Sequence, residues 1–305
     1  HQTHLPVLYV SWGVAAGSAH DRIFGTAHFC EHLMFTGTHR HPNYDDALLS
    51  LGATNNAWTD LNHTVYDIEA PPGTLKEIIS IEADRWKNLT FQLQESQFVR
   101  EKQVIINELR ESLDINPLEK WEMQNPSDLF GTDHPYGHST IGTEHSITDI
   151  SMQDIRHYLH TWYHPSNTVV CIVGQEEEAH VLDEIHSRWG THISAEPFTQ
   201  KDIPILDNPQ SRTTSIHLAN TPPMICWQWI CRFEHTGAAE VIAMLLSSGQ
   251  YGILHRELVL NQHWAISVHA FVQEHPTMNI LELRIELSEE SKRERVYAHV
   301  REVLN

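Results

Sequence analysis

The sequence predicts an α+β protein of two similar domains, each a mainly antiparallel sheet packed against helices, with the second copy incomplete. Three observations lead there. Strand-like runs at 53–60 and 63–70 flank a short polar turn and read as a hairpin. Apolar residues at helical spacing fill 73–90 and 95–114. The element order that opens the chain, β-α-α-β-β-α, recurs after a stretch at 195–212 rich in Pro, Asp, Gln and Ser.

Taken in order, residues 5–14 (LPVLYVSWGV) read as a largely buried strand, followed by a Gly/Ser/Ala loop. Helices are expected at 25–36 and 41–51, ahead of the hairpin that Pro71-Pro72-Gly73 ends. After the two longer helices comes an irregular stretch carrying HPYGHSTIG. A helix at 151–161, a strand at 168–174 and a helix at 176–188 then complete a first domain, residues 1–194. Beyond the linker at 195–212, the second repeat (213–305) holds the strand MICWQWICR and the helices AAEVIAMLLSS and YGILHRELV. The strands WAISVHAFV and TMNILELRIEL follow, then an amphipathic helix from Ser288 onward. Nothing in the second copy matches the helix at 95–114 or the strand at 168–174, which is why it is expected to be partial.

Composition narrows the function. The chain has 305 residues and a formal net charge of -20. Such a surface repels phosphates and disfavours nucleic-acid binding, while biasing weakly toward basic peptides. No apolar run reaches the ~18 residues needed to span a bilayer. A soluble protein is expected, with periplasm and cytoplasm both open. Cys30, Cys171, Cys226 and Cys231 are too scattered for a disulfide framework.

The chemistry is concentrated at His28-Phe29-Cys30-Glu31-His32, of the form H-x-x-E-H. On a helix, positions i and i+4 share a face, so both imidazoles can reach one ion. Glu31 faces the same pocket without being needed as a ligand, which suits a general base acting on water. With 24 histidines in the chain, chance alone yields this pentapeptide about 0.15 times, so context must decide. A catalytic zinc needs a third protein ligand. On the helix at 95–114, Glu101 and Glu108 lie two turns apart on nearly one face. Spacing alone leaves room for a solvated edge beside Arg100 or Lys102.

The run Gly25-Thr26-Ala27-His28-Phe29-Cys30-Glu31-His32-Leu33-Met34-Phe35-Thr36-Gly37-Thr38 resembles the signature of the pitrilysin/insulysin family of metallopeptidases, in a bacterial-type two-domain form. Further matches are Asn56-Ala57-Trp58-Thr59, Thr64 to Tyr66, His134-Pro135-Tyr136-Gly137, and Tyr163-His164-Pro165 leading into Val173-Gly174. The resemblance implies a zinc endopeptidase with one Zn2+ per chain, held by His28, His32 and Glu108. It implies Glu31 as general base and Glu101 as a catalytic or supporting carboxylate that orients His32 or the metal centre. It also implies that the strand with Asn56, Ala57 and Thr59 is a sheet edge on which an unfolded peptide adds as another strand.

Family members use an arginine and a tyrosine of a later domain to stabilise the oxyanion. Arg256 fits the first, with a helix C-terminal cation as its plain reading; the tyrosine place holds His263. The second repeat has no H-x-x-E-H. A partner is therefore expected: a second two-domain subunit, in a homo- or heterodimer, that supplies the missing group. Two rivals stand beside this reading: a non-catalytic or partner-dependent subunit of a heteromeric peptidase, and an S-ribosylhomocysteine lyase-like metal enzyme. Cys30 would be thiol-reactive if it faced the site and inert if it faced the core.

Overall fold

The computed structural model describes residues 4–190, 203–206, 214, 218, 221–232 and 235–304. The chain divides into two compact units, His1–Asp202 and Ile203–Asn305. Of the expected linker, 203–206 has no regular structure and the remainder lies outside the described residues.

The first unit is built on strands β1 (Leu8–Val14), β2 (Thr54–Thr59), β3 (Thr64–Ala70) and β4 (Thr168–Val173). They form one sheet in the order β2-β3-β1-β4, with every neighbouring pair antiparallel. In β1 the residues Leu8, Val10, Trp12 and Val14 alternate into the core, and Tyr66 and Ile68 of β3 join them from the same face. Eight helices belong to this unit among the described residues. They are α1 (Thr26–Leu33), α2 (Tyr44–Leu49), α3 (Leu75–Gln92), α4 (Glu95–Ile115), α5 (Glu119–Phe130), α6 (Glu144–Asp149), α7 (Met152–Trp162) and α8 (Glu178–Trp189). Phe29, Leu33, Ile78, Ile105, Ile155 and Leu159 from these helices share a core cluster with the strands. Each such side chain gains roughly 1.5–3 kcal/mol on burial, so the sheet and the helices around it stabilise each other.

Helices α5 and α6 occupy part of the stretch that periodicity leaves irregular. The cause is local. Helix α5 contains Pro126 and buries only Phe130 fully, so it shows no apolar stripe. Helix α6 has six residues and is held by its cap: Thr143 Oγ1 accepts the Ser146 N–H at 3.1 Å while Ile147 is buried.

The second unit has a three-stranded antiparallel sheet, β5 (Met224–Arg232), β6 (Ala265–Glu274) and β7 (Met278–Leu287), in the order β5-β7-β6. Helices α9 (Thr236–Ser247) and α10 (Arg293–Leu304) accompany it. Strands β6, β7 and β5 take the places of β2, β3 and β1, so both element order and strand order repeat. The expected helix at 251–259 is found as a π-helical turn at His255–Asn261, where Gln262 N–H reaches back to Glu257 O at 3.0 Å. Helix α10 starts later than expected because Glu290–Lys292 form a 3-10 turn first. Among the described residues no helix is long and apolar enough to cross a membrane.

Candidate metal centre

Helix α1 is fixed at its start. Gly25 has φ 94°, and a Cβ there would come within 2.6 Å of Ile141 O, so only glycine enters without strain. The Asp21 carboxylate accepts the N–H groups of Gly25 and Ala27, each at 2.8 Å, which satisfies donors that the helix cannot pair itself. Phe29, Cys30 and Leu33 are fully buried in the core. His28 and His32, one turn apart, meet on another face with ring centroids 4.7 Å apart.

Helix α4 brings the carboxylates. It buries Phe98, Ile105, Ile106 and Leu109, and Phe98 stacks on Phe29 of α1 at 5.1 Å. Lys102 Nζ donates to Thr148 O at 2.8 Å and to Ile150 O, and Arg110 pairs with Glu144, so α4 is also tied to α6. Glu108 Oε2 then lies 3.2 Å from His32 Nε2, and Glu108 Oε1 lies 3.7 Å from His28 Nε2. One ligand atom from each of His28, His32 and Glu108 can be chosen so that all lie within 4.8 Å of one another. Glu101 Oε2 sits 3.8 Å from His32 Nδ1, and its Oε1 takes Arg100 Nε at 2.9 Å. Between the two glutamates, Ile105 is buried and Val104 is exposed.

The electrostatics suit a cation. Burial, helped by the neighbouring His32, pushes His28 down to about 4 against the pull of Glu108. It is therefore neutral at pH 7, the form that binds metal. Burial also pulls His32 down, but Glu108, Glu31 and Glu101 outweigh it and its net shift is upward. Glu108 is held below the usual carboxylate range by its hydrogen bond to His32. Two imidazoles and an ionised carboxylate make a donor set of the kind that zinc accepts.

Glu31 lies beside this cluster, 9% exposed, and Thr59 Oγ1 donates to its Oε2. Burial pushes its carboxyl up, opposed by that hydrogen bond. Strand β2 is an edge of the sheet. Asn56 is exposed on it, while Ala57 and Thr59 face the helix side, opposite Tyr66 and Thr64. Arg256 stands in the second unit, on the π-helical turn, with an exposed side chain; His263 follows it at φ 52°. Cys30 faces the core, and burial pushes its thiol well up, which makes it inert in the folded state. Sequence reasoning passed over Asp21, although an acidic residue just ahead of a helix is a recognisable start signal. It also passed over the contact between the Tyr66 and Tyr163 hydroxyls, 2.6 Å apart, which joins residues 97 positions apart and leaves no local trace.

This arrangement is a group of side chains that could hold a metal ion, and comparison with known proteins places the chain in a family. Residues 6–144 match the family profile described as insulinase, peptidase family M16, and residues 149–305 match that of the peptidase M16 inactive domain. The chain belongs to peptidase family M16. It is 25% identical over 252 residues to the zinc protease PqqE of Helicobacter pylori, covering 77% of this chain and 54% of that protein. It is 29% identical over 234 residues to the human mitochondrial-processing peptidase subunit beta, covering 70% of this chain and 45% of that protein. The chain thus spans about half the length of these relatives. A crystal structure of a protease from Helicobacter pylori superposes with a TM-score of 0.83 at 20% identity, covering 99% of this chain and 76% of that one. The family assignment sets aside the lyase-like reading.

Proposed function

We propose that this chain is a zinc-dependent endopeptidase acting on unfolded peptides, with His28, His32 and Glu108 holding one zinc ion. The convergence of those three side chains, with Glu31 alongside, carries the reading. Zinc held there supplies Lewis acidity toward a peptide carbonyl and lowers the pKa of a water. Glu31 accepts the proton of the attacking water and delivers it to the nitrogen of the leaving amine. Glu101 steadies the His32 ring from its other nitrogen. An extended peptide adds to β2 at Asn56 and Ala57, gripped through its main chain, and the small Ala57 lets it approach closely. The second unit is a zinc-free repeat of the first; Arg256 is its candidate for oxyanion support.

A second two-domain subunit supplies what Arg256 and His263 lack. The naming of one relative as a subunit supports this reading. A partner-dependent chain would bind zinc yet cleave only after that subunit is added.

The test is Glu31→Gln. The variant should keep its zinc and lose hydrolysis of an internally quenched peptide by about 10²–10⁴-fold. Hydrolysis at the wild-type rate would remove Glu31 from the mechanism.

A further inference from the structure

The sequence expectation groups Thr59 with Asn56 and Ala57 in holding substrate; in the structure its hydroxyl reaches Glu31. Thr59 shares the helix-side face of β2 with Asn55 and Ala57, whereas Asn56 and Trp58 expose theirs on the opposite face. Its hydroxyl donates to Glu31 Oε2. A hydroxyl has one proton, so that bond leaves Thr59 no donor for a peptide. The nearby Thr64 Oγ1, 3.4 Å away, commits its own proton to Ala16 O at 3.0 Å. The hydroxyl pair is therefore ordered, with Thr59 directed at the carboxylate. Burial strips most water from Glu31, which makes a protein donor to it worth more.

We infer that Thr59 is a positioning residue: it anchors Oε2 of Glu31 and leaves Oε1 to handle the proton. This rests on the zinc-peptidase reading above. It adds a coupling within one strand. The edge that receives the peptide through Asn56 and Ala57 also carries, two residues on, the side chain that orients the base.

Thr59→Val keeps the branched shape and removes the hydroxyl, Thr59→Ala serves if valine disturbs folding, and Thr59→Ser restores the donor. In the zinc-loaded full chain, valine or alanine should lower kcat by about 10- to 100-fold with KM unchanged, the usual scale for a charge-assisted hydrogen bond. Serine should return kcat close to wild type. Calorimetric titration with a peptide hydroxamate, which meets the carboxylate without turnover, should show about tenfold weaker binding to Thr59→Val. Serine should restore that affinity too, and zinc content should stay constant throughout. In a Glu31→Gln background, Thr59→Val should cost nothing further. An unchanged kcat, a raised KM with intact kcat, or failure of serine to rescue overturns the positioning role and leaves the peptidase reading standing. A zinc-loaded wild type that cleaves no peptide, with or without a partner, overturns both.

Discussion

Replacing Arg85 with methionine probes how the frame beneath the site is held. Arg85 is 1% exposed, and its Nη2 donates to Glu82 Oε2 at 2.6 Å; Glu82 itself is fully buried. The guanidinium also lies 4.4 Å from the Tyr44 ring centroid and 4.9 Å from that of Tyr66. Methionine keeps the stem and removes the charge. Glu82 would retain two donors, Tyr44 Oη at 2.7 Å and Trp86 Nε1 at 3.3 Å, but no cation. Breaking a buried pair on one side costs about 3–5 kcal/mol, and the two surviving donors place Arg85→Met near the lower end, about 3 kcal/mol. For a unit of this size that is roughly 6–12 °C in melting temperature. Guanidinium unfolding followed by tryptophan emission measures it. Adding Glu82→Gln to Arg85→Met removes the stranded charge and should recover about half of the loss or more. A single variant within about 1 kcal/mol of wild type, or a double variant as unstable as the single, would refute the argument that a stranded carboxylate sets the cost.

Two further outcomes are expected. Glu108→Gln should reduce bound zinc from about one per chain to a small fraction, measured by elemental analysis after dialysis, because the charged member of the donor set is gone; full zinc retention would remove Glu108 from the set. His138, stacked on Phe24 at 4.0 Å, is held below the usual histidine range by burial. The unfolded chain therefore takes up the proton first, so this group's stabilisation is present above about pH 6.5 and is lost as pH falls below it. His138→Phe should shrink the difference in unfolding midpoint between pH 7 and pH 5, and an identical difference in variant and wild type would contradict the assignment.

Periodicity and turn chemistry made much of this molecule legible. The hairpin of β2 and β3 and the span of α4 follow from alternation, Pro71-Pro72-Gly73 and apolar residues at helical spacing. The pair His28 and His32 was legible for the same reason, since a four-residue spacing fixes a shared helix face. Other features lie outside what a local pattern can hold. Helix α5 owes nothing to an apolar stripe, and the π-helical segment His255–Asn261 differs from an α-helix in its hydrogen-bond step and not in its residue pattern. The bond from Thr59 to Glu31 joins positions 28 residues apart, and only the folded sheet brings them together. Glu101 and Glu108 are intermediate: their common face was readable, but the approach of that face to α1 depends on Phe98 stacking on Phe29.

Strand β2 has one further consequence. Natural edge strands are guarded by lysine, proline or a bulge, because an open row of amide groups invites other copies of the same protein to zip on. The sequence of β2, TNNAWT, contains neither residue, and its pairing with β3 is uninterrupted. On the peptide-docking reading proposed above, such an edge could not be guarded in that way without closing it to its substrate. Repulsion can act at longer range, and the formal net charge of -20 favours keeping copies apart before their edges meet. On that reading the two demands fall to different features: among the described residues the strand keeps its edge open, and the charge of the chain opposes self-association.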